Sequence, residues 1–174
     1  MTWRDSFRRH AGLDPLTASD SDLRTALGSA ALAARDRREC LDLLLTELVE
    51  PHLGGNCWTV LTDYPPEAAA QARTRTGADG TAVAARFEVY RNGIELANGY
   101  WELDDGAELA QRLENERTGR DESSAILHDD RFAAAMHAGL GDCAGVAVGF
   151  DRVVMLALGL SSVAETMAFP WEKA

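Results

Sequence analysis

An α+β fold is the expectation for this 174-residue chain, and three features of its sequence carry it. Apolar residues recur at helical spacing through the first third. An Asn-Gly turn then joins two runs rich in aromatic and β-branched residues, and a short apolar strand followed by a helical run lies near the end. Helices first, then an antiparallel sheet with helices inserted and appended, is an α+β order. With 46% apolar residues, the length suits one core and one domain.

Asp20 to Leu32 opens on cap-type Ser and Asp and then repeats apolar residues with a helical period. Asp36 to Leu53 does so more strongly, which assigns Leu41, Leu43, Leu44, Leu45, Leu48 and Val49 to a core. Cys57 to Pro66 is β-rich and stopped by a Pro pair, so a short strand ending in a turn is expected, followed by a polar loop with Gly77, Asp79 and Gly80. Arg86 to Leu103 contains Asn92-Gly93, the strongest short-range hairpin signal. Asp104 to Arg120 has acids at its start and bases toward its end, as a helix dipole favours, with Leu109 and Leu113 as its apolar stripe. Asp129 to Leu140 is expected as a helix with Phe132, Met136 and Leu140 on one side. Ala144 to Val148 follows as a small strand, and Asp151 to Leu158 as a buried helix ending at Gly159.

The net charge of -11 argues against a broad phosphate-binding surface for DNA or tRNA. Cys40, Cys57 and Cys143 lack C-x-x-C spacing, which points to reduced thiols of a cytoplasmic protein rather than to a disulfide framework or zinc ribbon. No signal-peptide core or bilayer-length apolar run occurs, so no membrane association is expected. His10, His52, His128 and His137 show no metal-protease spacing, and P-loop, dinucleotide and G-x-S-x-G motifs are absent. Trp58 and Trp101 could stack on a base, although a strand Trp is more often packing.

Two places hold residues with chemical potential. A two-residue turn at Asn92-Gly93 sets Tyr90 opposite Glu95, so Glu88 and Glu95 become diagonal neighbours on one face. Such a pair suits Mg²⁺ with phosphate and water ligands, but a solvated acidic sheet face is the favoured reading of this geometry alone. In "GVAVGFDRVVML", Gly149 permits close backbone approach and Arg152 falls in the first turn of the next helix, which suits a phosphate. The alternative, that Asp151 caps the helix while Arg152 pairs with an acid, stands equally open.

"RFEVYRNGIELANGYWEL" followed by "GDCAGVAVGFDRVVMLALGLSSVAETMAFPW" closely resembles the C-terminal half of the catalytic domain of class II lysyl-tRNA synthetases, nearest to the elongation factor P lysine ligase branch. The resemblance is strong from about Arg86 onward and weaker through "DYPPEAAAQAR" and "AGLDPLTA". It implies part of a class II synthetase-like antiparallel sheet flanked by helices. The whole of 1–174 is then one partial catalytic domain, helical to about residue 55, with the sheet and motif 3 from about 56. The implied activity is ATP-dependent adenylation of lysine or β-lysine and its transfer to a lysine of elongation factor P, with ATP and Mg²⁺ as cofactors.

By resemblance, Arg152 is the catalytic residue on the ATP γ-phosphate and Gly149 lines the adenine site. Glu88 and Glu95 hold Mg²⁺ and ATP, with Leu96 beside the nucleotide, while Asn98, Tyr100 and Glu102 meet the amino acid, Glu102 at its ammonium group. Strict alternation puts Asn98, Tyr100 and Glu102 on the face opposite Glu95, so a bulge or twist is expected at Ala97-Asn98-Gly99, whose composition tolerates left-handed backbone. Motifs 1 and 2 of such families have no counterpart here, and the motif 2 arginine is a donor worth about 10²–10³ in rate. A homodimer and a completing polypeptide are both left open as partners. A non-catalytic remnant that binds amino acid or ATP, or serves as an interaction module, is the second reading. Aminoacylation of tRNA ranks last, since the anticodon-binding barrel is absent and the charge is acidic.

Overall fold

The computed structural model describes residues 1–118 and 129–171; Arg120 and His128 lie outside them. Its helices are α1 (Trp3–His10), α2 (Asp20–Leu27), α3 (Arg37–Leu44), α4 (Gly106–Thr118), α5 (Asp130–His137) and α6 (Phe150–Leu158). Its strands are β1 (Thr59–Tyr64), β2 (Thr74–Thr76), β3 (Ala82–Arg91), β4 (Ile94–Trp101) and β5 (Ala144–Val148). They form one sheet in the order β1-β3-β4-β5, with β2 also pairing β3, so the α+β class holds. The chain divides into two compact units. The first comprises Met1–Asp63, Phe87–Asn98 and Val146–Ala174, and the second Tyr64–Arg86 and Gly99–Gly145.

In the first unit, α1 is an element that the sequence pattern left unassigned. Thr2 accepts from the Asp5 N–H at 3.1 Å to start it, and Trp3 and Phe7, four residues apart, are buried with ring centroids 4.3 Å apart. Asp14 holds this helix from below, taking hydrogen bonds from Arg4 Nη2 and Arg8 Nη2, each at 2.7 Å. The Arg4 bond is the largest influence keeping the Asp14 carboxyl well below the usual carboxylate range, with Arg8 and the Leu16 N–H adding to it against the opposing effect of burial. Because the unfolded chain then binds more protons than the folded one, the stabilisation is present above the ordinary Asp pKa and is lost as pH falls. Urea midpoints followed from about pH 6 to about pH 3 are expected to fall less steeply for Asp14→Asn than for the parent chain. Parallel slopes would remove Asp14 from the acid response.

The expected helix over Asp36–Leu53 is three pieces. Asp36 caps α3 by accepting from the Glu39 N–H at 2.9 Å, a π-helical turn covers Leu45–Val49, and a 3₁₀ turn covers Glu50–His52. Pro51 explains the change of winding, since its ring has no N–H and clashes with a carbonyl one α-turn earlier. Leu44 and Val49 are fully buried five residues apart, whereas Leu41, Leu43, Leu45 and Leu48 are only partly buried. Asp20–Leu32 similarly ends as α-helix at Leu27 and continues as a 3₁₀ turn over Gly28–Ala33.

The hairpin has its expected two-residue turn. Asn92 and Gly93 both have positive φ, 52° and 72°, as a type I′ turn requires. β5 matches its expected span, but the expected burial of the following helix is overturned. Val146, Val148, Phe150 and Leu158 are all more than half exposed, and Met155 is the buried residue of α6. The physical reason is position: β4 is the neighbour of β5 in the sheet order, so this strand lies at an edge among the described residues.

The second unit places a short strand, β2, in the expected loop, with Thr74 opposite Ala84 and Thr76 opposite Ala82 in antiparallel register. Leu103, Leu109 and Met136 form its buried cluster, with Phe132 packed against it. Leu113 and Leu140, expected on the same apolar faces, are exposed. Arg112 ties α4 to the segment before β2 by donating to the carbonyls of Ala70 and Ala72, both at 2.8 Å. All three cysteines are free, and among the described residues no helix is long and apolar enough to cross a membrane.

Candidate nucleotide and amino-acid site

In the first unit, the hairpin end, the 3₁₀ turn and α6 enclose a cleft of about 380 Å³. Glu50, Gly93, Ile94, Glu95, Arg152 and Met155 line it, together with Ser161, Ser162 and Val163. Arg152 is positioned by β4: its Nη1 donates to the Glu95 carbonyl at 2.8 Å and lies 3.6 Å from Glu95 Oε2. The side chain stays half exposed, so charge remains available to a ligand. Asp151 does not cap α6; the cap position is Gly149, without a side-chain hydrogen bond.

Gly149 donates its N–H to the Leu96 carbonyl at 2.8 Å, which fixes the start of α6 on β4. A Cβ there would approach Arg152 Cδ to 3.3 Å, so the bare Cα gives the guanidinium stem its path. Leu96 itself is 3% exposed, which leaves its backbone rather than its side chain for any neighbouring nucleotide. Ser162 starts the 3₁₀ turn Val163–Thr166 in a capping box with Glu165, placing both serines at the cleft rim.

Glu88 and Glu95 do not share one environment. Glu88 is 5% exposed and receives Tyr90 Oη at 2.6 Å on Oε2 and Asn98 Nδ2 at 3.2 Å on Oε1. It is absent from the cleft lining, where Glu95 is joined by Glu50. Glu50 is the functional candidate that sequence reasoning missed. Tyr90 Oη lies 3.0 Å from Glu50 Oε1, and burial raises the Glu50 pKa, with the Glu88 charge adding to the rise against Tyr90 and Arg152.

Asn98 on Glu88 also answers the question of alternation. Glu88 and Tyr90 share a face, and the two-residue turn puts Glu95 opposite Tyr90, so a regular strand would turn Asn98 away. It turns toward Glu88 instead, which locates a break in alternation between Glu95 and Asn98. The buried residues of β4 show the same shift: Leu96 and Gly99 are three apart rather than two. None of Ala97, Asn98 or Gly99 has positive φ, so the break is made in extended backbone, without the left-handed residue that composition suggested. Asn98 Oδ1 is buried and takes no hydrogen bond among the described residues, leaving an acceptor for a ligand.

Tyr100 and Glu102 belong to the second unit. Arg86 lies over the Tyr64 ring, 4.7 Å from its centroid, and 5.7 Å from that of Tyr100. The Glu102 carboxylate sits against the bare Cα of Gly145, where any Cβ would collide with Oε1. Its backbone is held by the Cys143 carbonyl at 3.0 Å and by Arg73 Nε at 2.8 Å. Trp101, a candidate for base stacking, is half exposed beneath Arg73 and donates Nε1–H to Asp142 Oδ1 at 2.6 Å.

Among the described residues no group of three or more His, Cys, Asp or Glu is arranged to hold a metal ion. The donor set therefore fits a hard cation only when phosphate and water oxygens supply most of its ligands, with Glu95 as the cleft carboxylate and Glu88 outside the lining. An anion at Arg152 and the Ser161 and Ser162 hydroxyls, with an acid beside it for a bridging cation, is an arrangement suited to a polyphosphate.

Residues 40–173 match the model of the tRNA synthetases class II (D, K and N). The chain is 41% identical over 181 residues to the elongation factor P–(R)-β-lysine ligase of Salmonella dublin, and 42% identical over 183 residues to that of Klebsiella pneumoniae. Each match covers 100% of this chain and 55% of the relative, so the chain spans about half the length of these curated relatives.

Proposed function

The chain belongs to the class II tRNA synthetases, and from that premise we propose that it is the motif 3 part of an ATP-dependent ligase that activates lysine or β-lysine and joins it to a lysine of elongation factor P. The observation that carries this reading is Arg152, half exposed in the cleft and steered by Glu95, with Ser161 and Ser162 in the same lining. In this reading Arg152 grips the γ-phosphate, Glu95 and Glu88 favour the Mg²⁺ that accompanies ATP, and Gly149 leaves the backbone open beside the adenine. Asn98 offers its vacant Oδ1; Tyr100 and Glu102 are assigned to the amino acid by resemblance to the family, Glu102 for its ammonium group. Bound Mg²⁺ would neutralise phosphate charge; the chain's own residues bind and orient.

Cytoplasmic location, elongation factor P as protein substrate, and a homodimer or completing polypeptide belong to the same proposal. The second reading, a module that binds ATP or amino acid without catalysis, rests on the cleft, whose Arg152 and serine residues are groups for binding an anion. Calorimetry with Mg·ATP, lysine and (R)-β-lysine, followed by pyrophosphate exchange with the remaining half of a relative supplied as a second polypeptide, separates the two. Binding together with exchange is the expected result. Binding without exchange would select the module, and no binding to any ligand would overturn both.

A further inference from the structure

We infer that Glu50 is a positioning residue of this site, fixing the Tyr90 hydroxyl in its contact with Glu88. The inference deepens the reading of the cleft as an ATP site and rests on it for its functional half. Glu50 lies outside the hairpin and motif 3, on the turn where the helix rewinds before Pro51.

The geometry is a chain of three side chains. Tyr90 is fully buried, with its hydroxyl 2.6 Å from Glu88 Oε2 and 3.0 Å from Glu50 Oε1. A phenol has one hydrogen, and both contacts are donated by Tyr90, so the hydroxyl is held between the two carboxylates, closer to Glu88. Asn98 Nδ2 meets the other Glu88 oxygen at 3.2 Å, so both oxygens of this buried carboxylate are held.

Glu50 is itself immobilised by backbone contacts. The Asn92 and Gly93 N–H groups donate to the carbonyls of Gly54 and Leu53 at 2.9 and 2.7 Å, clamping the hairpin turn onto the segment that follows Glu50. A Cβ on Gly93 would stand 3.3 Å from the Glu50 carbonyl oxygen, so the two backbones are in close contact. The 3₁₀ turn that follows the π-helical one thereby presents Glu50 to Tyr90 from a fixed backbone.

The test uses Glu50→Ala, Glu50→Gln and Tyr90→Phe in the full chain carrying ¹³C-labelled tyrosine. The buried Tyr90 hydroxyl proton, assigned as the resonance missing from Tyr90→Phe, reports the orientation without any ligand. Mg·ATP titration reports its consequence. Glu50→Ala is expected to shift that resonance and speed its exchange while weakening Mg·ATP by about 10-fold, the lower end for groups that orient a ligand-binding side chain. Glu50→Gln, whose amide oxygen can still accept from Tyr90, should restore both. An unchanged hydroxyl signal in Glu50→Ala overturns the inference, and so does a lost signal with undiminished affinity. If the parent chain binds no Mg·ATP, the function proposed above falls, while the hydroxyl signal still decides whether Glu50 holds Tyr90.

Discussion

Arg152→Ala is expected to weaken Mg·ATP binding by about 10–100-fold, the loss of one or two hydrogen bonds to a charged phosphate at about 1.5–3 kcal/mol. The same change should scarcely touch the fold. Arg152 is half exposed and its approach to the Glu95 carboxylate is 3.6 Å, so the pair is worth about 0–1 kcal/mol at most in water. Binding and stability thus separate by magnitude. Arg152→Lys should recover only part of the affinity, because an ammonium cannot match the planar fork that the Glu95 carbonyl holds in place. Equal affinities for all three chains would remove the phosphate role. An unfolding midpoint that drops with the affinity would instead make Arg152 a structural residue.

The hairpin and motif 3 were legible because their signals are local. Asn92-Gly93 dictates a two-residue turn through φ alone, and both residues adopt the required positive values. Gly149 and Arg152 are three apart across a strand-helix junction, so their proximity follows from chain geometry. Alternation along β4 was enough to show that Glu95 and Asn98 conflict, and the strand resolves the conflict as expected, although in extended backbone.

Glu50 was not legible, since its partner Tyr90 is forty residues away and the helix that carries it changes winding. A 3.6-residue period fits Asp36–Leu53 well enough to hide a π turn; Pro51 was the available warning. The burial of "GVAVGFDRVVML" misled for a different reason. Apolar runs specify burial only when an element lies against them, and in the sheet order β4 is the neighbour of β5.

Gly54→Ala is expected to destabilise the first unit by about 2–4 kcal/mol, a large share of the roughly 5–15 kcal/mol that holds a domain of this size. Two costs add. Gly54 has φ +72°, where an L side chain costs about 1 kcal/mol. The new Cβ would also stand 2.5 Å from both Arg91 Cα and the Tyr90 carbonyl oxygen, and overpacking of this kind costs about 1–3 kcal/mol more. Both obstacles are β3 backbone, so a rotamer change cannot relieve them and the loop must lift. Lifting it would strain the Gly54 contacts to Asn92 and Thr59 and draw Glu50 away from Tyr90. Two neighbours separate the causes. Gly12 shares the positive φ but has open space, so Gly12→Ala should cost about 1 kcal/mol, whereas Gly55 has neither constraint and its alanine variant should be nearly neutral. Urea midpoints at constant slope measure the series. A Gly54→Ala cost no larger than that of Gly12→Ala would mean that β3 and the loop do not press together. The backbone clamp that fixes Glu50 would then be absent.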